Sequence, residues 1–179
     1  TLTVTSAADS GVGSLRAQIA TAQNGDTINF APSLAGQTIT LTSGEIAITK
    51  NLTIEGLRSD RLAVSGNDSS RVFDITGATT RGEIRNLTIT HGSSTDGGAI
   101  FNGPSDANTV VDHAKFLLNK ANKTALSMGG AIYSSDNLTV RGSSFIANDA
   151  GPGKGGAFAG DSPTPSGLEL GNLIGNSTM

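Results

Sequence analysis

No cysteine occurs anywhere in the chain. That absence excludes disulfides and any metal site held by thiolates. Tryptophan is also missing, and aromatic residues make up only 4% of the composition, too few for the bulky core of an ordinary globular domain. No apolar run approaches the roughly 20 residues of a membrane span. No basic run occurs, and the net charge is −3 with a pI near 5.2. Neither gives an electrostatic reason to bind nucleic acid or an anionic membrane. The G-x-S-x-G elbow and the H-E-x-x-H zinc motif are absent as well. No signal peptide is visible, and the chain opens on Thr1 rather than Met, which reads as a processed or excised product.

What is abundant is glycine, 24 in 179 residues, together with Thr, Ser and Asn. This fits many short strands joined by tight turns. The length suits one domain spanning 1–179. Within it one unit recurs. Gly97-Gly98-Ala99-Ile100-Phe101 is followed by Phe116-Leu117-Leu118-Asn119. Gly129-Gly130-Ala131-Ile132-Tyr133 is followed by Phe145-Ile146-Ala147-Asn148. Gly155-Gly156-Ala157-Phe158 is followed by Leu173-Ile174-Gly175-Asn176. The openings lie 32 and 26 residues apart (129 − 97 and 155 − 129), a spacing that means stacked units unable to bury a core alone.

Each unit holds three short apolar runs, such as GGAIY, NLTVR and SSFIAN, separated by turn residues and without helical period. Parallel strands in one sheet normally need a long crossover. A chain wound in a coil avoids it, because each strand pairs with its equivalent one turn later, about 4.8 Å away. Ile100, Ile132 and Phe158 are then expected to form one inward ladder, and Phe116, Phe145 and Leu173 another. Asn119, Asn148 and Asn176 are expected to stack at a turn, where Asn tolerates the left-handed conformation and its amide pairs with the next coil. Val64-Ser65-Gly66-Asn67 occupies the same place earlier in the chain, which adds Asn67 to that column. The paired glycines suit a sharp bend or a close approach.

The combination of GGA-[Ile/Phe] with a following Phe-x-x-Asn resembles the repeat of the polymorphic outer membrane proteins, which is shared by bacterial surface proteins of the right-handed parallel β-helix class. The third copy departs from it in having Leu173 for Phe. The resemblance covers about half the chain. It implies an extracellular, non-catalytic β-helix used for adhesion or as a surface structure.

In chain order, Thr1–Thr5 alternates and reads as a strand. Ser14–Asn24 reads as a helix, with Ser14 as N-cap, Leu15, Ile19 and Ala22 on one face, and Asn24-Gly25 as the stop. It is expected to cover the open apolar end of the coil. The strand and cap thus occupy 1–25, and the coils 26–179. Five to six coils predict a rod about 25–30 Å long. The fold expected is all-β, a right-handed parallel β-helix with a short N-terminal capping helix; the handedness follows from the rule for parallel crossovers and from the resemblance. Lys120–Met128 reads as an insertion with weak helical character, and Gly160–Gly167, with Pro163 and Pro165, as a loop.

Parallel β-helices also carry polysaccharide lyases and hydrolases, which need clustered carboxylates with a basic partner on adjacent coils. Asp112 and Arg141 fall close to one period and are expected as neighbours, in an ion pair or on a solvated face. Asp74 and Asn102 are a looser pair. Paired acids with a basic partner in consecutive coils are not visible. Asp112 and His113 are adjacent on an expected strand, so their side chains are expected on opposite faces. His91 stands apart from any second histidine. Asp96-Gly97-Gly98 hints at calcium, but the nonapeptide calcium repeat is lacking. No metal, cofactor or catalytic residue is assigned. The Thr-rich strands (Thr38, Thr40, Thr42, Thr88, Thr90) lack the regular array that ice binding needs. Asn51, Asn67, Asn86, Asn122, Asn137 and Asn176 lie in N-x-Ser/Thr sequons.

The function expected is that of an extracellular, non-enzymatic structural or adhesive protein; the alternative is a carbohydrate-active enzyme. The partners expected are a glycan or host-surface receptor. Nothing resembling the N-terminal cap follows Asn176, so the chain is expected either to continue in a larger protein or to associate end to end. In the second case Thr1, Leu2, Thr3, Val4 and Thr5 form the strand donated to the next subunit.

Overall fold

The computed structural model describes residues 1–77, 81–103, 108–121, 126–160 and 168–176, of which 168–173 by backbone alone. The alternating start forms β1 (Leu2–Val4) and the amphipathic stretch forms α1 (Leu15–Thr21). Thereafter the chain winds, one strand per face and three faces per turn. The first turn is β2 (Asp26–Phe30), β3 (Gln37–Thr40) and β4 (Ile46–Ile48). The second is β5 (Leu52–Glu55), β6 (Leu62–Ser65) and β7 (Phe73–Ile75). The third is β8 (Gly82–Arg85), β9 (Thr88–Thr90), the two-residue β10 (Ser93–Ser94) and β11 (Ile100–Asn102). The fourth is β12 (Asn108–Asp112), β13 (Lys115–Leu117), the two-residue β14 (Lys120–Ala121) and β15 (Ile132–Ser134). In the fifth, β16 (Asn137–Ile146) runs through the corner to serve two faces and β17 (Phe158–Ala159) serves the third. β18 (Leu168–Ile174) pairs with β16 beyond it. Every pairing is parallel. The molecule is an all-β parallel solenoid of five turns.

Strict register makes the core a set of columns. The first face stacks Ile28, Ile54, Ile84, Val111 and Val140 inward, all with no exposed surface. The second stacks Ile39, Val64, Ile89, Phe116 and Phe145, and the backbone register continues to Leu173, whose side chain lies outside the described residues. The third stacks Ile46, Phe73, Ile100, Ile132 and Phe158; Phe158 is only partly buried. The rings of Phe116 and Phe145 lie parallel, 4.7 Å apart at 5°. Phe158 meets Phe145 edge-on at 5.8 Å. One strand spacing sets that stacking distance, so a column of like rings costs no rearrangement of the backbone.

The corners are built from stacked left-handed residues. Asn86 (φ 53°), His113 (φ 49°) and Gly142 (φ 51°) turn the chain from first to second face; His91 (φ 49°), Leu118 (φ 58°), Ala147 (φ 51°) and Gly175 (φ 59°) turn it away from the second. The asparagine column lies just after this corner. Asn148 Oδ1 accepts the backbone N–H of Asn119 at 3.0 Å and its Nδ2 at 2.9 Å. Asn176 Oδ1 accepts the same two groups of Asn148. The side-chain amides also donate to the carbonyls of Ile89, Phe116 and Phe145. Two details differ from expectation. The left-handed residue is the one before each asparagine, which leaves the Asn backbone free to donate along the column. Asn67 stands outside the ladder, exposed. The equivalent position between it and Asn119 is Gly92, which has no amide to relay; its N–H ends the ladder on Asn119 Oδ1 at 2.9 Å.

The paired glycines form a third column. Gly97, Gly129 and Gly155 all have positive φ. A Cβ on Gly98 would run into the carbonyl oxygens of Gly130 and Lys120, so the successive backbones touch where the third face begins.

At the start of the coil α1 buries Leu15, Ile19 and the following Ala22 against the first turn. Ser14 Oγ accepts the N–H of Ala17, an ordinary N-cap. The helix stops at Thr21, three residues short of expectation. Ala22 is already extended (ψ 152°), and Lys50 Nζ takes the carbonyls of Ala20 and Ala22 at 3.0 and 2.8 Å. A lysine from the coil therefore caps the helix, and Asn24 serves instead to accept the N–H of Asn51. Asp9 bolts the preceding loop down. Its Oδ1 takes Arg16 at 2.8 Å; its Oδ2 takes the backbone N–H groups of Thr42 and Ser43 and both their hydroxyls.

The alternating start does form a strand, and it stands at the end of its sheet. β1 pairs with β2 of its own chain, Leu2 opposite Ile28 and Val4 opposite Phe30. Val4 is fully buried, and its carbonyl accepts Ala31 N–H at 2.8 Å. The strand stacks on the first turn, because its alternation presents Val4 to the same core as the strand beneath it. The insertion at Lys120–Met128 is not helical where it is described: Lys120–Ala121 pairs with β10, and Met128 bridges Asp96 and Lys154. Residues 122–125, with Asn122, residues 161–167, with Pro163 and Pro165, where a loop is expected, and 177–179 lie outside the described residues.

Candidate functional site

With the columns inside occupied by apolar groups, any chemistry belongs to the outward residues. On the third face the outward column is Ala47, Asp74, Phe101, Tyr133 and Ala159. Beside it stands a feature that spacing alone did not reveal, two acids with a basic partner on consecutive turns. Arg71 NH1 lies 3.0 Å from Glu45 Oε2 and 3.9 Å from Asp74 Oδ1. The guanidinium sits over the Phe101 ring at 4.8 Å, and Phe101 stacks on Tyr133 at 5.3 Å. Burial pushes the Asp74 carboxyl up; Arg71 pulls it down, and Glu45 pushes it up further. Asp74 Oδ1 has no hydrogen-bond partner among the described residues.

The remaining donors of Arg71 are spent on two backbone carbonyls and a hydroxyl. Nε reaches Gly97 O at 3.1 Å, while NH2 reaches Asp96 O at 3.0 Å and Ser94 Oγ at 2.9 Å. Arg71 therefore ties the turn of the third coil to the second, and its side chain is only 12% exposed. Asp74 and Asn102, expected as a loose pair, are not one. Asp74 is opposite Phe101, whereas Asn102 is opposite Ile75 and buried, donating to Ser134 Oγ at 2.7 Å and accepting from Thr109 Oγ1 at 2.8 Å.

The first face carries its charge as an alternating ladder: Asn29, Glu55, Arg85, Asp112, Arg141 and, by backbone register, Glu169. Asp112 lies opposite Arg141 as its offset suggests, and opposite Arg85 on the other side. Asn86 Nδ2 donates to Glu55 at 2.6 Å, and Arg85 contacts Glu83. Asp112 and His113 do meet, contrary to expectation: His113 Nδ1 is 2.6 Å from Asp112 Oδ1. The strand ends at Asp112, and the left-handed turn at His113 swings its ring back. The pair stands on an open corner, with His113 68% exposed. His91 Nδ1 is bonded to Thr90 Oγ1.

Asp96 Oδ1 accepts Met128 N–H, and no group of three metal-ligating side chains occurs among the described residues. Of the sequon asparagines, Asn86 and Asn176 have committed their amide nitrogens, and Asn51 Oδ1 accepts Arg81 N–H. Thr38 and Thr88 share an outward column on the second face but are separated by Ala63 and followed by Lys115, so the threonine array is broken. That column forms the floor of a groove of about 310 Å³ lined by residues of four successive turns, from Gly36 to Lys115. A smaller one of about 220 Å³ lies by Asn51, Arg81 and Glu83 on the first face.

No helix among the described residues is long and apolar enough to cross a membrane. No family model, curated protein or solved structure matches the chain.

Proposed function

We propose that this solenoid is an extracellular, non-enzymatic surface protein, a rigid rod that displays outward faces for adhesion. What supports the reading is how its charged groups are used. The acids and bases of the first face alternate in register along the rod. The guanidinium of Arg71 is bound to two backbone carbonyls, a hydroxyl and a carboxylate. A guanidinium tied in this way holds coils together, and it is poorly placed to move protons in a reaction. The resemblance of the GGA-[Ile/Phe] and Phe-x-x-Asn repeat to that of the polymorphic outer membrane proteins points the same way. Beads carrying the chain should be retained on a panel of cell surfaces and released by the free chain in competition. Retention no greater than that of beads carrying an unrelated protein of equal charge contradicts the adhesive reading.

One observation favours a second reading, a carbohydrate-active enzyme. Asp74 is a half-buried acid whose carboxyl is pushed up by burial, beside a second carboxylate and an aromatic pair, and such perturbed acids mark active sites as well as structural networks. Turnover of an acidic polysaccharide that disappears in Asp74→Asn would establish it.

A further inference from the structure

The corner between the first and second faces is not uniform. In the third and fourth turns it takes two residues, Asn86-Leu87 and His113-Ala114; in the second it takes six, 56–61, and in the first six, 31–36. The wider corners of the early turns stand out beside the second face, pinned at their foot by the hydroxyl of Thr88 on Ser59 O. At that foot lies the larger groove, lined by Gly36, Gln37 and Thr38, by Ser59–Ala63, and by Thr88 and Lys115. Its floor steps along the rod from Thr38 through Ala63 and Thr88 to Lys115, three strand spacings or about 14 Å. The depression exists because the outward residue in the second turn is alanine.

The groove carries uncommitted positive charge. Asp60 is already paired with Arg58, Nε to Oδ1 at 3.2 Å. Among the described residues neither Arg61 nor Lys115 has an ion-pair partner. Two free cations thus stand along a trough that also presents the exposed hydroxyl of Thr38 and the amide of Gln37, whose nitrogen is bonded to Ser33 O. No aromatic residue lines it. The volume lies at the lower end of ligand sites, about 300–1,000 Å³.

We propose that this groove binds a short stretch of an acidic glycan along the rod axis, with Arg61 and Lys115 receiving the carboxylate or sulfate groups and Thr38 and Gln37 the sugar hydroxyls. The inference rests on the adhesive reading and names the ligand class of one face. Length along the axis favours a linear polymer, and the polar lining favours a hydroxyl-rich one. A chain of net charge −3 attracts polyanions only through such a local site. Cations on a half-open surface make the contact electrostatic, so binding weakens with salt.

The test uses the full chain with heparin, polygalacturonate, a neutral dextran of equal length and a DNA oligonucleotide, measured by calorimetry. Heparin or polygalacturonate should bind at about 0.05 M salt and weaken markedly by about 0.5 M; dextran and DNA should not bind comparably. Arg61→Glu with Lys115→Glu should lower the affinity about tenfold or more. Ala63→Gln, which fills the trough without changing charge, should lower it as well, and the melting midpoint should stay unchanged in both variants. Absence of binding to either acidic glycan, equal binding of DNA, or affinity indifferent to both variants overturns the proposal. Beads carrying the Arg61→Glu, Lys115→Glu chain that still adhere to cells would leave adhesion standing and remove only this groove from it.

Discussion

Asn148 illustrates how single side chains hold the coils. It is fully buried, and its amide accepts from one coil, donates to the next and satisfies the carbonyl of Phe116. Truncation strands several of these groups at once, each costing about 1–3 kcal/mol. In urea melts Asn148→Ala should therefore lose roughly 3 kcal/mol, and Phe145→Ala about 3–5 kcal/mol, through the cavity it leaves between stacked rings. Thr38→Ala, on an exposed outward position, should lose less than about 0.5 kcal/mol. Equal losses in the three would mean that inward and outward faces are misassigned. The inward ladders were legible in the sequence because a β side-chain period of two and a repeat near one coil leave few alternatives. Asn67 was misread for a local reason: a matching interval counts for nothing when the residue between, Gly92, has no side chain. His113 was misread because strand alternation was extended one residue past Asp112 into a left-handed corner.

At the scale of elements, the cap depends on one carboxylate. Burial, the largest single influence on Asp9, pushes its carboxyl up. Hydrogen bonds from Ser43, Arg16 and the backbone of Thr42 and Ser43 outweigh it and hold the group at about 2, against an ordinary 3.8. A folded value below the unfolded one means that the stabilisation is fully present above pH 3.8. It fades as pH falls from there toward 2. The difference corresponds to roughly 2 kcal/mol. Asp9→Asn should lose about that amount at neutral pH, and its stability should converge on that of the native chain at pH 2. A gap that persists at pH 2 would show that Asp9 acts by packing and not by charge. α1 itself was legible from its N-cap and apolar face, whereas its end was set by Lys50, a residue in the coil. The Glu45, Arg71 and Asp74 cluster escaped for a related reason. Glu45 precedes its strand and Arg71 precedes β7, so neither occupies a position that strand alternation could assign to a face.

The molecule is a stack of five turns in which the outward residues of the described strands form columns, and the columns differ. The first face alternates in charge, the second carries hydroxyls and a cationic trough, and the third carries an aromatic pair over a bound arginine. Such a rod can offer long, repetitive surfaces to a polymer without any moving part, and its seven strands on the first face span about 29 Å. The wide corners that shape the trough were not legible as such, because the sequence marks them only as polar gaps of uneven length between apolar runs. We propose that these faces bind and do not catalyse. The most direct measurement is the chain-length distribution of a labelled acidic polysaccharide after long incubation with the purified chain. The distribution should be identical to that of the untreated polymer. A shift to shorter chains, abolished by Asp74→Asn, would contradict it.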